Sequence, residues 1–237
     1  MKTSSAQSST WLLAGLLLAG VTGCSSVGYR TGDKTADSLQ RASRTVEAQN
    51  QALDETIVAL STLVNSPASD LKPPFKAYSA SLDRLLAAVE RSDVAMAQLK
   101  ETSAEYFASW DAQLAAMNYE VIRSTSEARK QAVSNQVAFV CNRYEETQAV
   151  VRPFMSYFSD IQRSLGTDLN AEGLAAARDV VRNAETNTQK VQGALQQLAS
   201  DMTESGIKLS SVIQPSAPLA ATGRERPAAV EQANAVR

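Results

Sequence analysis

Residues 75–117, FKAYSASLDRLLAAVERSDVAMAQLKETSAEYFASWDAQLAAM, decide the fold of this chain. Within them Phe75, Tyr78, Leu82, Leu85, Val89, Ser92, Met96, Leu99, Ser103, Tyr106, Trp110, Gln113 and Met117 follow one another at steps of three and four without a slip, and ten of the thirteen are apolar or aromatic. A spacing that averages 3.5 residues places all thirteen along one side of a helix and predicts a left-handed coiled-coil seam. The helix is predicted from about Pro74 to Met117.

Toward the C-terminus the same count lands on Glu120, Ser124, Glu127 and Gln131, so the seam fails. A second run then starts at Val133 and continues through Val137, Val140, Tyr144, Thr147, Val151, Phe154, Phe158 and Ile161 to Leu165. The stripe therefore changes phase between Asn118 and Ala132. We read a tight helix reversal near Asn118; the alternative is one unbroken helix with a register shift, because no Gly or Pro marks a turn there. Pro153 lies inside this third helix, where it removes a backbone donor and crowds the carbonyl of Ala149, which predicts a kink. Gly166-Thr167-Asp168-Leu169-Asn170 reads as the next turn. Asn170 is a good N-cap and Glu172 in the first turn suits the helix dipole. The fourth helix carries its own seam from Leu174 through Val181, Val191, Leu195 and Met202 to Leu209.

Toward the N-terminus, residues 66–74 form a connection ending in Pro73-Pro74, and a first helix is predicted from about Thr35 to Asn65. Leu39, Val46, Leu53 and Leu60 fall seven apart, with Ile57 and Val64 four beyond the last two. Ser43 and Asn50 weaken the seam; a seam asparagine can set register, although a merely tolerated polar residue is the plainer reading of Asn50. Asn65-Ser66-Pro67 ends the helix, since the residue before proline avoids the helical region. Four stripes joined by short connections predict an all-α protein, an elongated antiparallel helical bundle or coiled coil of about four long helices spanning residues 35–213. Antiparallel neighbours put the loops at 66–74 and 166–170 at one end and the reversal near 118 at the other. The two long middle helices would project two to three turns beyond the first and fourth.

The extreme N-terminus has a different character. Lys2 precedes an apolar run from Trp11 to Val21, too short to cross ~30 Å of hydrocarbon but fitted to a secretory signal. Val21-Thr22-Gly23-Cys24 resembles the bacterial lipobox, with small residues before a cysteine that accepts diacylglycerol; an ordinary signal peptide is the plainer alternative. The expectation is a signal peptide over 1–23, a lipid-anchored flexible tether over 24–34 with the lipid on Cys24, and a disordered Pro/Ala-rich tail over 214–237. Two or three acyl chains anchor stably where one is marginal. By analogy with lipoprotein sorting in Gram-negative bacteria, Ser25 after the cysteine implies an outer-membrane lipoprotein facing the periplasm.

Composition narrows the chemistry. The net charge is −2, or −3 without Lys2, which gives no electrostatic case for nucleic acid. The chain has no histidine, so the commonest general base and metal ligand are missing. There is no phosphate-binding glycine loop, no CxxC pair and no nucleophile elbow. Glu145-Glu146 point different ways on a helix and make a poor acid/base pair. No catalytic, metal or cofactor residue is assigned, no cofactor is expected, and the chain is read as a non-enzyme. Cys141 is the second of two cysteines. An intermolecular disulfide through it is conceivable in an oxidising periplasm, but a small packed apolar residue is the plainer reading.

Several of these residues carry a family likeness. Phe107-x-x-Trp110-x-x-x-Leu114, then Arg123 and Ser126, Tyr144, Pro153 and Leu169-Asn170-Ala171 resemble, in order and spacing, the uncharacterised helical lipoproteins of the DUF2959 family. The likeness covers most of residues 70–205 and implies the anchored helical fold; it implies no activity.

Two functional readings follow. In the first, the protein is a lipid-anchored, periplasm-facing scaffold or adaptor of the cell envelope, self-associating or meeting another envelope protein. Tyr106 and Trp110 read more plainly as core aromatics; only if the hairpin projects would they lack partners from the first and fourth helices and, with Tyr119 and Arg123, form the candidate interaction surface. In the second, the hairpin end, about 106–130, touches the membrane surface through Tyr119, Val121, Ile122, Arg123, Arg129 and Lys130, although Glu120 and Glu127 dilute the charge and a solvated turn is the plainer reading. A ligand carrier with a pocket between helices is a weaker third reading, because bulky residues fill the seams.

Overall fold

A computed structural model describes residues 27–67 and 69–211. They form four helices: α1 (Val27–Val64), α2 (Lys72–Ala115), α3 (Glu120–Thr167) and α4 (Ala171–Leu209). At 1.5 Å per residue, α2 and α3 are about 65–70 Å long. The helix ends have local causes. Pro73 and Pro74 occupy the first turn of α2, where missing donors cost nothing. Asn170 caps α4 by accepting from the backbone of Glu172 and Gly173, each at 2.9 Å. The α2–α3 reversal falls at residues 116–119, with Tyr119 in extended conformation before Glu120 opens α3. α3 runs unbroken through Pro153.

Hydrogen bonds between helices establish the antiparallel order. At one end the Tyr78 hydroxyl donates to the Phe158 carbonyl at 2.7 Å, and the Tyr157 hydroxyl to the Val180 carbonyl. At the other end the Thr35 hydroxyl donates to the Thr102 carbonyl at 3.1 Å. There too the Gln136 amide donates to Ser205 Oγ at 3.0 Å, and Asp33 accepts from the backbone and hydroxyl of Ser211. The loops before α2 and before α4 thus share one end. The reversal, the start of α1 and the end of α4 share the other.

The core is not packed evenly. Small residues line the seams of α1: Ala36, Ser38 and Ala42 on α1 itself, Ala88, Ser92 and Ala95 on α2, Ala199 and Gly206 on α4, all buried. Side-chain size sets the distance between helix axes, and here hydroxyls reach across to neighbouring backbones. Ser43 donates to the Ala199 carbonyl at 2.8 Å, and Thr56 to the Ser81 carbonyl at 3.1 Å. A Cβ on Gly206 would stand 3.2 Å from the Ala36 carbonyl oxygen, closer than a side chain tolerates without movement. α3 closes the bundle with larger groups, among them Val140, Tyr144, Phe158 and Leu165.

Two sequence expectations need correction. Residues 27–34, read as part of the 24–34 tether, are the first two turns of α1. Small, polar, Gly-containing sequence looks like a linker, but Gly32 packs on the Tyr106 ring, 3.3 Å from its would-be Cβ, and tertiary contact holds the helix. Among the polar residues on the buried faces of α1, Gln49 is fully buried, whereas Asn50 is half-buried, in line with a merely tolerated polar residue. Gln49 accepts from the Gln148 amide of α3 at 3.0 Å, while Gln49 Nε2 and Gln148 Oε1 have no hydrogen-bond partner. Unpaired buried polar atoms cost on the order of 1–3 kcal/mol each, which fits a layer that specifies register rather than one that maximises stability. The other correction is at the projecting hairpin, where Tyr106 is not left without a partner from α1, because Gly32 lies against its ring. The signal segment, Cys24 and the 214–237 tail lie outside the described residues.

Candidate functional site

The candidate site is the hairpin end of the bundle, where α2 and α3 outrun their neighbours. The α2 stripe passes from buried to half-buried here. Ser92, Met96, Leu99 and Ser103 are buried, whereas Tyr106, Trp110, Gln113 and Met117 are half-exposed.

Tyr106 and Trp110 come together as expected, with ring centroids 5.3 Å apart, and Phe107 lies 5.6 Å from Tyr106. Such tilted pairs add about 0.5–1.5 kcal/mol beyond burial. They are not without a partner, however: the extra turns of α1 bring Gly32 onto Tyr106. Burial pushes the Tyr106 phenol above its ordinary pKa, so it stays neutral. Trp110 is tied across the hairpin, its indole N–H donating to Ser126 Oγ at 2.9 Å. Lys130 pairs with Asp111 between the same two helices. These contacts bolt α2 to α3 where α1 is running out.

Beyond that bolt the surface changes. Tyr119, Val121 and Ile122 are 77%, 77% and 60% exposed. They occupy the reversal and the first turn of α3, the outermost point of the described residues at this end. Arg123, one residue further, pairs with Glu120. Tyr106 and Trp110 therefore belong to the aromatic brace, whereas Tyr119 and Arg123 belong to the exposed tip. The sequence placed all four in one surface; the structure divides them by burial.

A second polar cluster lies in the body and was not legible as a unit. The Tyr144 hydroxyl donates to Asp93 Oδ1 at 2.8 Å, and Arg152 approaches the same carboxylate at 3.4 Å. Burial, then the bond to Asp93, drives the Tyr144 pKa far above its usual range. The neighbouring Gln148–Gln49 pair continues this polar line inward. Asp93 and Gln148 sit beside the seam rather than on it, so the stripe offered no signal for them. The cluster joins α1, α2 and α3 and presents no nucleophile beside a base. Lys100 and Glu145 bridge α2 and α3 at 2.7 Å, an exposed pair worth little.

Cys141 is buried and free, and burial raises its thiol pKa, as suits a packed residue and not a reactive one. Among the described residues, no group of three or more Cys, Asp or Glu is placed to hold a metal ion. No described helix is long and apolar enough to cross a membrane. The clefts are open grooves between neighbouring helices; one, about 390 Å³, lies between α3 and α4 against Pro153, Phe154, Tyr157, Asn183, Ala184 and Asn187.

Comparison with known proteins agrees with the architectural likeness. A family model described as "Protein of unknown function (DUF2959)" matches residues 22–212. No curated protein matches the chain. The residues that carry the likeness have structural work: Trp110 and Ser126 bond to each other, Tyr144 holds Asp93, Leu114 is buried and Asn170 caps α4.

Proposed function

This chain belongs to the DUF2959 family of proteins of unknown function, and from that premise we propose that it is a lipid-anchored, non-catalytic scaffold or adaptor of the cell envelope. On this reading Cys24 carries the lipid, the bundle stands in the periplasm at the outer membrane, and its surface meets an envelope protein or a second copy of itself. The observation that carries the reading is the placement of α1. It starts at Val27, three residues after the lipobox cysteine, and is the helix whose flanks are closed by both α2 and α4. A pull on the lipid is thereby transmitted to the best-packed element of the bundle, as an anchored post requires. A core filled by its own side chains and surface clefts that remain open grooves favour a scaffold over a ligand carrier.

The test has two parts. Mass spectrometry of the mature chain from bacterial membranes should show acyl chains on Cys24, and a Cys24→Ala chain should leave the membrane fraction. An unacylated mature chain in the soluble fraction sinks the reading. With the anchor intact, photocrosslinkers at positions 106, 110, 119 and 123 then separate its two forms. Adducts with one envelope protein identify an adaptor, and adducts with itself alone identify a structural oligomer.

A further inference from the structure

We propose that the hairpin tip, Tyr119, Val121 and Ile122, seats in the interfacial layer of the same bilayer that holds the N-terminal lipid, so that the bundle stands on two points. The inference rests on the lipid-anchor reading above and adds the second foot.

The contacts Thr35–Thr102 and Gly32–Tyr106 set the antiparallel register of α1 against α2. Extending it puts Val27 level with Trp110 and, through the Trp110–Ser126 bond, with Ser126 of α3. The last turn of α2 and the reversal therefore reach about 9 Å beyond the start of α1, at 1.5 Å per residue. From Cys24 to Val27 there are three Cα steps, at most ~11 Å of chain. A lipid on Cys24 thus holds α1 within about that distance of the glycerol backbones, and the tip, projecting in the same direction, spans the same gap. Interfacial apolar faces bury about 5–10 Å into the headgroup region, which is the depth the projection supplies.

The chemistry of the tip matches that zone. Tyrosine is a residue of membrane interfaces, and Val121 and Ile122 are among the most exposed large apolar side chains of the described residues. The nearby charges are balanced: Arg123 pairs with Glu120 and Lys130 with Asp111, and Glu127 offsets Arg129 in net charge. The tip is therefore matched to the neutral interfacial layer and requires no anionic lipid.

The experiment uses the full acylated chain in phosphatidylcholine vesicles whose acyl chains are brominated near the glycerol end. Tyr119→Trp in a Trp110→Phe background places one indole at the tip; Val94→Trp in the same background places one on the exposed side of the body. The tip indole should shift to the blue and lose emission to bromine, while the body indole does neither. A second version keeps Trp110 in place: Val121→Cys with Cys141→Ala, carrying a nitroxide, should be more accessible to dissolved oxygen than to an aqueous nickel complex. A chain that is acylated and floats with the vesicles, yet shows neither signal, overturns the inference and leaves the anchor reading standing. A chain that is not acylated overturns both. A blue-shifted tip indole in unacylated Cys24→Ala protein that lacks residues 1–23, and with them Trp11, without vesicles means that a second copy covers the tip, which also overturns it.

Discussion

One stripe on α2 runs through two regions that behave differently. In the body, between Tyr78 and Ser103, most of its positions are sealed beneath α1 and α3. At the hairpin end, between Tyr106 and Met117, positions of the same spacing and much the same chemistry are only half-covered. The helix does not change; its company does. α4 ends near the level of Lys130 and α1 near that of Trp110, so among the described residues the last turns of the hairpin have only each other. The contrast shows that a heptad stripe reports which face of a helix is apolar, while the lengths of neighbouring helices decide whether that face is core or surface.

The contrast is open to attack by substitution. The largest effect should come from the body: Phe158→Ala removes a fully buried ring and should cost about 3–5 kcal/mol in denaturant unfolding. Alkaline pH probes the body as well. Tyr78 and Tyr144 have pKa values raised, mainly by burial, above the ordinary 10.0. In the unfolded chain they ionise near pH 10, whereas in the folded chain they hold their protons. Their contribution is therefore whole below pH 10 and is lost as pH rises above it, at about 1.4 kcal/mol per pH unit for each tyrosine. A pH series of thermal unfolding checks this slope. Gly206→Val tests the close seam between α1 and α4 and should destabilise by about 1–3 kcal/mol through overpacking.

At the brace the effects shrink. Ser126→Ala breaks the indole bond across the hairpin and should cost about 1 kcal/mol, visible as faster amide exchange in residues 111–125 with little change in the body. At the tip, Ile122→Ser should alter the stability of the isolated fold by less than about 0.5 kcal/mol, measured by the same unfolding experiment. A loss there as large as that of Phe158→Ala would erase the distinction between body and tip.

Much of the architecture was legible because its causes are local. The change of phase after Met117 pointed to a reversal near Asn118 but left one unbroken helix with a register shift open, and the structure decides for the reversal. The Asn170 cap and the Pro73-Pro74 start follow from backbone chemistry within a few residues. The candidate site was legible only in part. Tyr106, Trp110, Tyr119 and Arg123 were picked by chemistry and position, but their division into brace and exposed tip depends on Gly32 and Ser126, which are 74 and 16 residues from Tyr106 and Trp110 in sequence. The Asp93–Tyr144 bond escaped for the same reason, being a contact between helices at positions beside the stripe.

By itself, then, the sequence determined the four helices, the face each one buries, the antiparallel order implied by short loops, and the lipobox-like segment that frames the anchoring proposal. These follow from periodicity, caps and breakers, whose physics acts within a turn or two of helix. The tertiary structure alone decided that α1 begins at Val27 rather than near Thr35, that Gln49 is buried against Gln148 while Asn50 is half-buried, and that Tyr106 and Trp110 form a brace apart from the exposed Tyr119, Val121 and Ile122. Each of these depends on which surface lies opposite, and burial is a property of two surfaces at once.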